Sequence, residues 1–443
     1  MALIHSSSQP SFGGQVDLFS SLRTDTTTQS SLYTQYKPTI NVQDSDSKLE
    51  FKMIGSASQY LNLEDSFLHL KVKLVTADGQ DIPAGEDLSC TNYLLHTMFS
   101  QCDVFINNQL ISTTDNCYGF KAYFEAMFSY NNEYFDTQGR CAMFYKDTKG
   151  GILDDVNIGY ANRKIVLNAS SVVEMIDKLK FDLSKQMSNR LILSDTNISI
   201  VLTRAPDSFA LLSKKPSSLK LADGSVFVPK LKIMDATFHV RKEVLYPSII
   251  VSHQKLLEKG EVAKYFCKRS EMKYFTIPAG NQSFIEENVF VSKIPNKVIL
   301  ALVPSKAFNG NFACNPLQFN HNDLSYVSLS VNNVNTPCAP YIIDFQNEQG
   351  LLPYYMLYTS FGVGGHNSGL PFDCHNYKNG NCFFSFDINM SSDNGNLLKL
   401  ETNGSVKVEL KFSKALPEAL HCLVYSENQS VIKLDKYRQA IVI

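Results

Sequence analysis

The sequence predicts an all-β protein of two tandem jelly-roll β-sandwiches, a double jelly roll with short helices in its loops. Three observations carry the prediction. Short runs alternate apolar and polar residues along most of the chain. Phe (29) and Tyr (21) are plentiful while Trp is absent, and aromatic residues suit a half-buried pleated surface. One ordered set of features also occurs twice, at offsets of roughly 205–235 residues, about half the chain.

The 443 residues suit two domains of roughly 200 residues each. With 44% hydrophobic and 19% charged residues, a sizeable core can form and global disorder is excluded. The formal net charge is −2, and no Lys/Arg run exceeds a pair such as Lys214-Lys215. A dedicated basic tract for gripping nucleic acid or a membrane surface is therefore excluded.

The start, Met1-Ala2-Leu3-Ile4-His5-Ser6, has neither the basic nor the apolar region of a secretory signal. The longest apolar run, Val298–Val303, is far shorter than the roughly 20 residues of a membrane span. Cytosolic synthesis and a soluble product are expected. The ten cysteines form no CxxC pair. In a reducing compartment they read as free, small, buried hydrophobes.

Residues 1–47 form a Ser/Thr/Gln-rich arm with too few large apolar residues to fold alone. It is either a disordered tail or an arm that orders against a neighbouring subunit. The first jelly roll is expected over 48–212. It opens with Leu49–Ile54 and Phe67–Leu74, whose period-2 alternation marks strands with one face buried. Phe120, Tyr123, Phe124, Met127 and Phe128 recur at helical spacing and predict a core-facing helix. Residues 213–229, with two prolines and a turn at Asp223-Gly224, read as the linker, or alternatively as a long inter-strand loop. The second jelly roll is expected over 230–443.

The repeat is specific in its order. Val104-Phe105-Ile106 ends in Asn107-Asn108, and Ser328–Val331 ends in Asn332-Asn333. A helical stripe follows each turn, the second formed by Tyr354, Leu357, Tyr358 and Phe361. Each half then closes with an alternating strand and an apolar run: Ile198–Leu202 with Phe209–Leu212, and Val406–Leu410 with Leu420–Tyr425.

The sequence offers no catalytic, cofactor-binding or metal-binding residues. The nine histidines form no HxH or HExxH pattern. The densest set of possible ligands, His366, Cys374, His375 and Cys382, matches no standard zinc spacing. The glycine-rich Gly362–Gly369 departs from the dinucleotide motif at Asn367, and from the P-loop because Leu370 follows Gly369 in place of Lys. It reads as a surface loop. No enzyme is expected. A soluble sandwich that binds carbohydrate or another ligand is the alternative.

Several blocks resemble the hexon-like major capsid proteins of Polinton/Maverick transposable elements and the related adintoviruses. They are Leu94–Asn107, Tyr118–Glu125, Phe144–Asp147, Ala307–Gly310, Asn315–Phe319, Phe412–Pro417 with Val424–Glu427, and Ile432–Asp435 with Arg438. Gln439 stands where that pattern has Asn. The resemblance runs from about Lys48 to Arg438, in one order, and weakens in the arm and in 213–229. It implies a double jelly roll that forms a pseudo-hexagonal homotrimer. The trimers would tile an icosahedral shell around double-stranded DNA without reading its sequence, alongside a minor penton protein. It further implies a structural protein of the virion made in the cytoplasm, with the host nucleus open as the place of assembly. No catalytic residues or cofactors come with it.

Overall fold

The computed structural model describes the chain except residues 1–6, 9–13, 20, 22–23, 41–47, 222–223, 337–338, 348, 366–368, 390–396 and 443. Among the described residues two sandwiches form, and sixteen strands make their main sheet paths. In the first they are β1 (Thr28–Tyr36), β2 (Lys48–Met53), β3 (Gln59–Thr76), β4 (Phe99–Ile106), β5 (Gln109–Ser112), β6 (Val172–Asp177), β7 (Ile198–Arg204) and β8 (Pro229–Leu245). In the second they are β9 (Ala263–Ile277), β10 (Ser283–Lys293), β11 (Lys297–Pro304), β12 (Leu324–Val331), β13 (Val334–Asn335), β14 (Phe384–Asp387), β15 (Asn403–Phe412) and β16 (Leu420–Leu434). Four helices matter below: α1 (Tyr118–Ser129), α2 (Ile158–Val166), α3 (Pro247–Glu258) and α4 (Leu351–Ser360).

The sheet order repeats. The first sandwich pairs β1-β8-β3-β6 against β2-β7-β4-β5, and the second pairs β9-β16-β11-β14 against β10-β15-β12-β13. Adding eight to each strand of the first sandwich gives the second. All the pairings are antiparallel, and first and last strands lie side by side in each copy, as in a jelly roll.

Local sequence explains the strands. In β3, residues Phe67 to Val72 alternate half-exposed and buried positions, so Leu68, Leu70 and Val72 face the core. Phe51 of β2 meets Phe238 of β8 across the first sandwich, with ring centroids 5.8 Å apart. The Asn-Asn pairs close the β4–β5 and β12–β13 hairpins. Their φ values are 46° and 68° at Asn107 and Asn108, and 49° and 65° at Asn332 and Asn333. A two-residue turn that follows the strand twist needs this left-handed backbone, which Asn tolerates. Both turns are tied down alike. Asn107 Oδ1 accepts from the Asn197 N–H at 3.0 Å, and Asn332 Oδ1 from the Ser405 N–H at 3.1 Å.

The expected boundaries move in three places. Residues 28–36, expected within the arm, form β1, which pairs with β8 of the same chain from Thr28↔Leu245 to Tyr36↔Phe238. Its side chains are mostly exposed; backbone hydrogen bonds at a sheet edge hold it, so apolar content gives no signal there. The described residues of 213–228 form an inter-strand loop between β7 and β8, anchored by buried Leu219 and Phe227. The connection between sandwiches is instead α3, with Pro247 in its first turn. Pairing therefore places 230–245, expected to open the second jelly roll, in the first. Consequently β8 is the counterpart of β16, while Leu211-Leu212 pairs with Ser89-Cys90 in a two-residue ladder.

The nine described cysteines are free thiols, six of them buried. No helix among the described residues is long and apolar enough to cross a membrane.

Candidate functional site at the inter-sandwich seam

Helix α1 belongs to the first half but lies across the outer face of the second half's β9-β16-β11-β14 sheet. Its apolar stripe makes an aromatic cluster there. Phe124 has ring centroids 5.9 Å from Tyr425 of β16, 5.4 Å from Phe319 and 5.1 Å from Phe383. Phe128 stacks on Phe361 at 4.5 Å, and Phe120 on Phe308 at 5.4 Å. Eleven of the twelve α1 residues, Tyr118 to Phe128, are buried. This cover explains why Val298–Val303 is apolar throughout: α1 and α4 close off the outer side of the β11 sheet, so both faces of the strand are buried.

The charges buried at the seam have partners. The Glu125 carboxylate accepts from Ser270 Oγ of β9 at 2.5 Å and pairs with Lys185 Nζ at 2.5 Å. Burial pushes Glu125 up, but Lys185 and Lys121 outweigh it and hold the carboxyl below its ordinary range. Lys121 Nζ lies 3.4 Å from Asp182, which also accepts from Ser112 Oγ at 3.0 Å. A buried charge without such partners would cost several kcal/mol.

Two further buried polar groups pin the first half. His96 is fully buried, with Nε2 2.9 Å from Asp177 and Nδ1 2.9 Å from the Tyr118 hydroxyl. Tyr93 donates its hydroxyl to the same Asp177 oxygen at 2.6 Å. Burial keeps His96 below its ordinary value. The donors from His96 and Tyr93, with nearby Lys180, overcome burial and hold Asp177 well below the carboxylate range. These partners assign Nε2 as the protonated nitrogen. The hydroxyls bonded to this His–Asp pair are those of Tyr93 and Tyr118, both locked in the core, so the arrangement braces the fold.

Arg163 of α2, also fully buried, donates to the Cys90 carbonyl at 2.9 Å, the Tyr145 carbonyl at 2.8 Å and Asp147 at 2.9 Å. Gly159 permits this approach, because a Cβ there would stand 2.7 Å from the Lys146 oxygen.

The possible metal ligands do not converge. Cys374 and His375 are exposed, Cys382 is buried, and His366 lies outside the described residues. Among the described residues no group of three or more His, Cys, Asp or Glu is placed to hold a metal. The glycine-rich stretch begins as the C-terminal turn of α4, with Gly362 at φ +64°; its residues 366–368 lie outside the described set. Sequence reasoning missed His96, Arg163 and Glu125, because nothing local marks a lone charged residue as buried. The helical stripe of α1 was the one available signal for the seam.

A second surface stands out by contrast. Among the described residues, no helix crosses the outer face of the β1-β8-β3-β6 sheet around Tyr33, Phe67 and Val172; α3 reaches only its Tyr60 end, where His253 Nδ1 lies 2.9 Å from the Tyr60 hydroxyl. His239 stacks on Phe67 at 4.7 Å, Tyr33 lies 5.6 Å from Phe67, and His69 Nε2 is 2.5 Å from Glu174.

No protein-family model matches this chain. A Caenorhabditis elegans protein described as uncharacterized is 23% identical over 416 residues, covering 91% of this chain and 94% of its own. Among solved structures, a chain of the Sputnik virophage is similar over 100% of this chain and 94% of its own, with a TM-score of 0.56 and 10% identity. A chain of the PBCV-1 virus capsid is similar over 96% of this chain and 98% of its own, with a TM-score of 0.57 and 10% identity. The mavirus major capsid protein covers 100% of this chain and 96% of its own, at a TM-score of 0.50 and 10% identity.

The fold is a double jelly roll. Its structural neighbours are viral capsid proteins. The resemblance blocks fall on the seam and its braces: His96, Phe124, Asp147, Phe308, Phe319 and Tyr425 each belong to one.

Proposed function

We propose that this chain is a structural major capsid protein of the Polinton/Maverick and adintovirus kind, and not an enzyme. Three copies form a capsomer with six sandwiches around one axis, so that a threefold object occupies a near-sixfold lattice position. Capsomers tile an icosahedral shell, with a separate penton protein at the vertices, and enclose double-stranded DNA. A near-neutral chain limits self-repulsion among closely packed copies. We place synthesis in the cytoplasm and the finished protein in the virion.

The observation that carries this reading is the eight-strand order found twice in one chain, in a fold shared with capsid proteins over nearly its whole length. The binding-module reading has no comparable support.

Light scattering on the size-fractionated protein tests the proposal, together with negative-stain microscopy. The expected species has about 150 kDa, three times the 49.7 kDa chain, and a pseudo-hexagonal face. A strictly monomeric species at high concentration overturns it.

A further inference from the structure

Resting on the capsomer reading, we infer the surface by which one copy grips the next: the exposed face of α4 docks on the uncovered outer face of the β1-β8-β3-β6 sheet of a neighbouring copy. This would repeat between chains the contact that α1 makes within one.

The argument starts from duplication. Helix α1 is the first helix of eight or more residues after β5, and α4 is the first after β13, the strand equivalent to β5. Helix α1 covers the outer face of the β9-β16-β11-β14 sheet. On the equivalent sheet of the first sandwich, β1-β8-β3-β6, the part around Tyr33, Val172 and Ile176 is left exposed, with no covering helix among the described residues. The structure thus has one used helix, one used sheet, one spare helix face and one spare sheet face.

The spare helix face has the right chemistry. Helix α4, Leu-Leu-Pro-Tyr-Tyr-Met-Leu-Tyr-Thr-Ser, is apolar nearly all round, a pattern suited to cover on several sides. One side is satisfied: Leu357 is fully buried, and Ser360 Oγ lies 3.0 Å from Ser385 Oγ of β14. The other side carries Leu351, Leu352 and Tyr355, at i, i+1 and i+4, which are 61%, 57% and 64% exposed.

The spare sheet face is complementary. Phe67, His69, Lys71 and Lys73 alternate along β3 and pair with His239 of β8 and with Ile176, Glu174 and Val172 of β6. Tyr33, Val172 and Ile176 are large and exposed. The flanking charges are matched within the face, His69 and Lys71 with Glu174, Lys73 with Asp81, and Lys37 with Asp235. An apolar helix can therefore settle there without stranding a charge.

The geometry also selects a second copy of this chain as the occupant. A spare helix and a spare sheet on different sandwiches make a heterologous, head-to-tail contact, which closes a ring when the rotation allows. Because each chain already contains one such contact, three chains alternate three internal and three external contacts of the same kind.

The test compares wild type with Leu352→Lys and Tyr355→Lys, which place a cation against Lys71 and Lys73, by light scattering at matched concentration. We expect the wild-type trimer and a shift of both variants to the 49.7 kDa chain. Val172→Glu or Ile176→Glu, added to Tyr355→Lys, should restore the trimer, which a merely misfolded variant would not do. Ile285→Asp, an exposed position on β10 in the other sheet of the second sandwich, should leave the trimer intact. A wild-type trimer that persists in both lysine variants overturns this interface alone, as does failure of both glutamates to rescue. A wild type that is itself monomeric overturns the capsomer reading instead.

Discussion

Replacing Phe124 with alanine would test whether the seam makes the two sandwiches one cooperative body. The ring is fully buried and touches Phe319, Phe383 and Tyr425 of the other half as well as Phe128 of its own helix. A buried Phe side chain removes ~150 Å² or more of apolar surface from water, worth ~4 kcal/mol at about 25 cal/mol per Å². This agrees with the ~3–5 kcal/mol typical of Phe→Ala in a core. At about 1.4 kcal/mol per decade, the opening equilibrium of the affected unit should rise about a thousandfold. Amide exchange read by mass spectrometry on overlapping peptides measures it. Protection should fall both in β4, beneath α1 in the first sandwich, and in β9 and β16 of the second. Loss of protection in the first sandwich alone, with β16 unchanged, would refute the idea that α1 couples the halves.

Other predictions follow from the buried polar groups and the turns. Arg163→Met leaves the Asp147 carboxylate and two carbonyls without their donor; removing one partner of a buried pair should cost ~3–5 kcal/mol in a denaturant titration. Asn107→Ala and Asn332→Ala each lose a side-chain acceptor and force alanine into positive φ, so each should cost about 1–3 kcal/mol. Asn→Gly at either site should recover the backbone part only. Acid should destabilise the first sandwich in two stages. His96 and Asp177 both sit below their ordinary values of 6.5 and 3.8. The unfolded chain therefore takes up protons first, and stability held above each ordinary value is lost as pH falls below it. Thermal melts should show Tm declining from about pH 6.5 downward and more steeply below about pH 4. Asp177→Asn should flatten the lower stage.

Much of the fold was legible in the sequence because strands that bury one face must alternate, and a two-residue turn demands residues that accept positive φ. Leu68-His69-Leu70-Lys71-Val72 and the two Asn-Asn pairs show both effects without any structure. The boundary between halves was not legible. Strand β1 has almost no apolar signature, because its hold is an edge ladder to β8. The 213–229 loop has the Pro, Ser and Lys content of a linker, yet Leu219 and Phe227 anchor it in the core. Helix α3, which does connect the halves, carries no break of the kind that flags a linker. The seam was half legible. The stripe from Phe120 to Phe128 announced an apolar helix face, but not that its partner lies some 200–300 residues onward in sequence, at Phe319, Phe383 and Tyr425. Burial of His96, Arg163 and Glu125 rests on partners between 16 and 145 residues away in sequence and leaves no local mark.

The cover over α1 has a consequence for the order of synthesis. A ribosome releases the chain from its N-terminus, and domains tend to fold as they emerge. The first sandwich can complete its sheets once β8 is out, yet the surfaces that shield Phe124 and Phe128 arrive only with Phe319, Phe361, Phe383 and finally Tyr425. For nearly half of translation the nascent protein carries a finished domain with an uncovered aromatic helix, a surface that invites premature contact with other nascent chains. A chain stopped between residues 245 and 420 would keep that stripe permanently open, so truncated products should aggregate or be captured by chaperones.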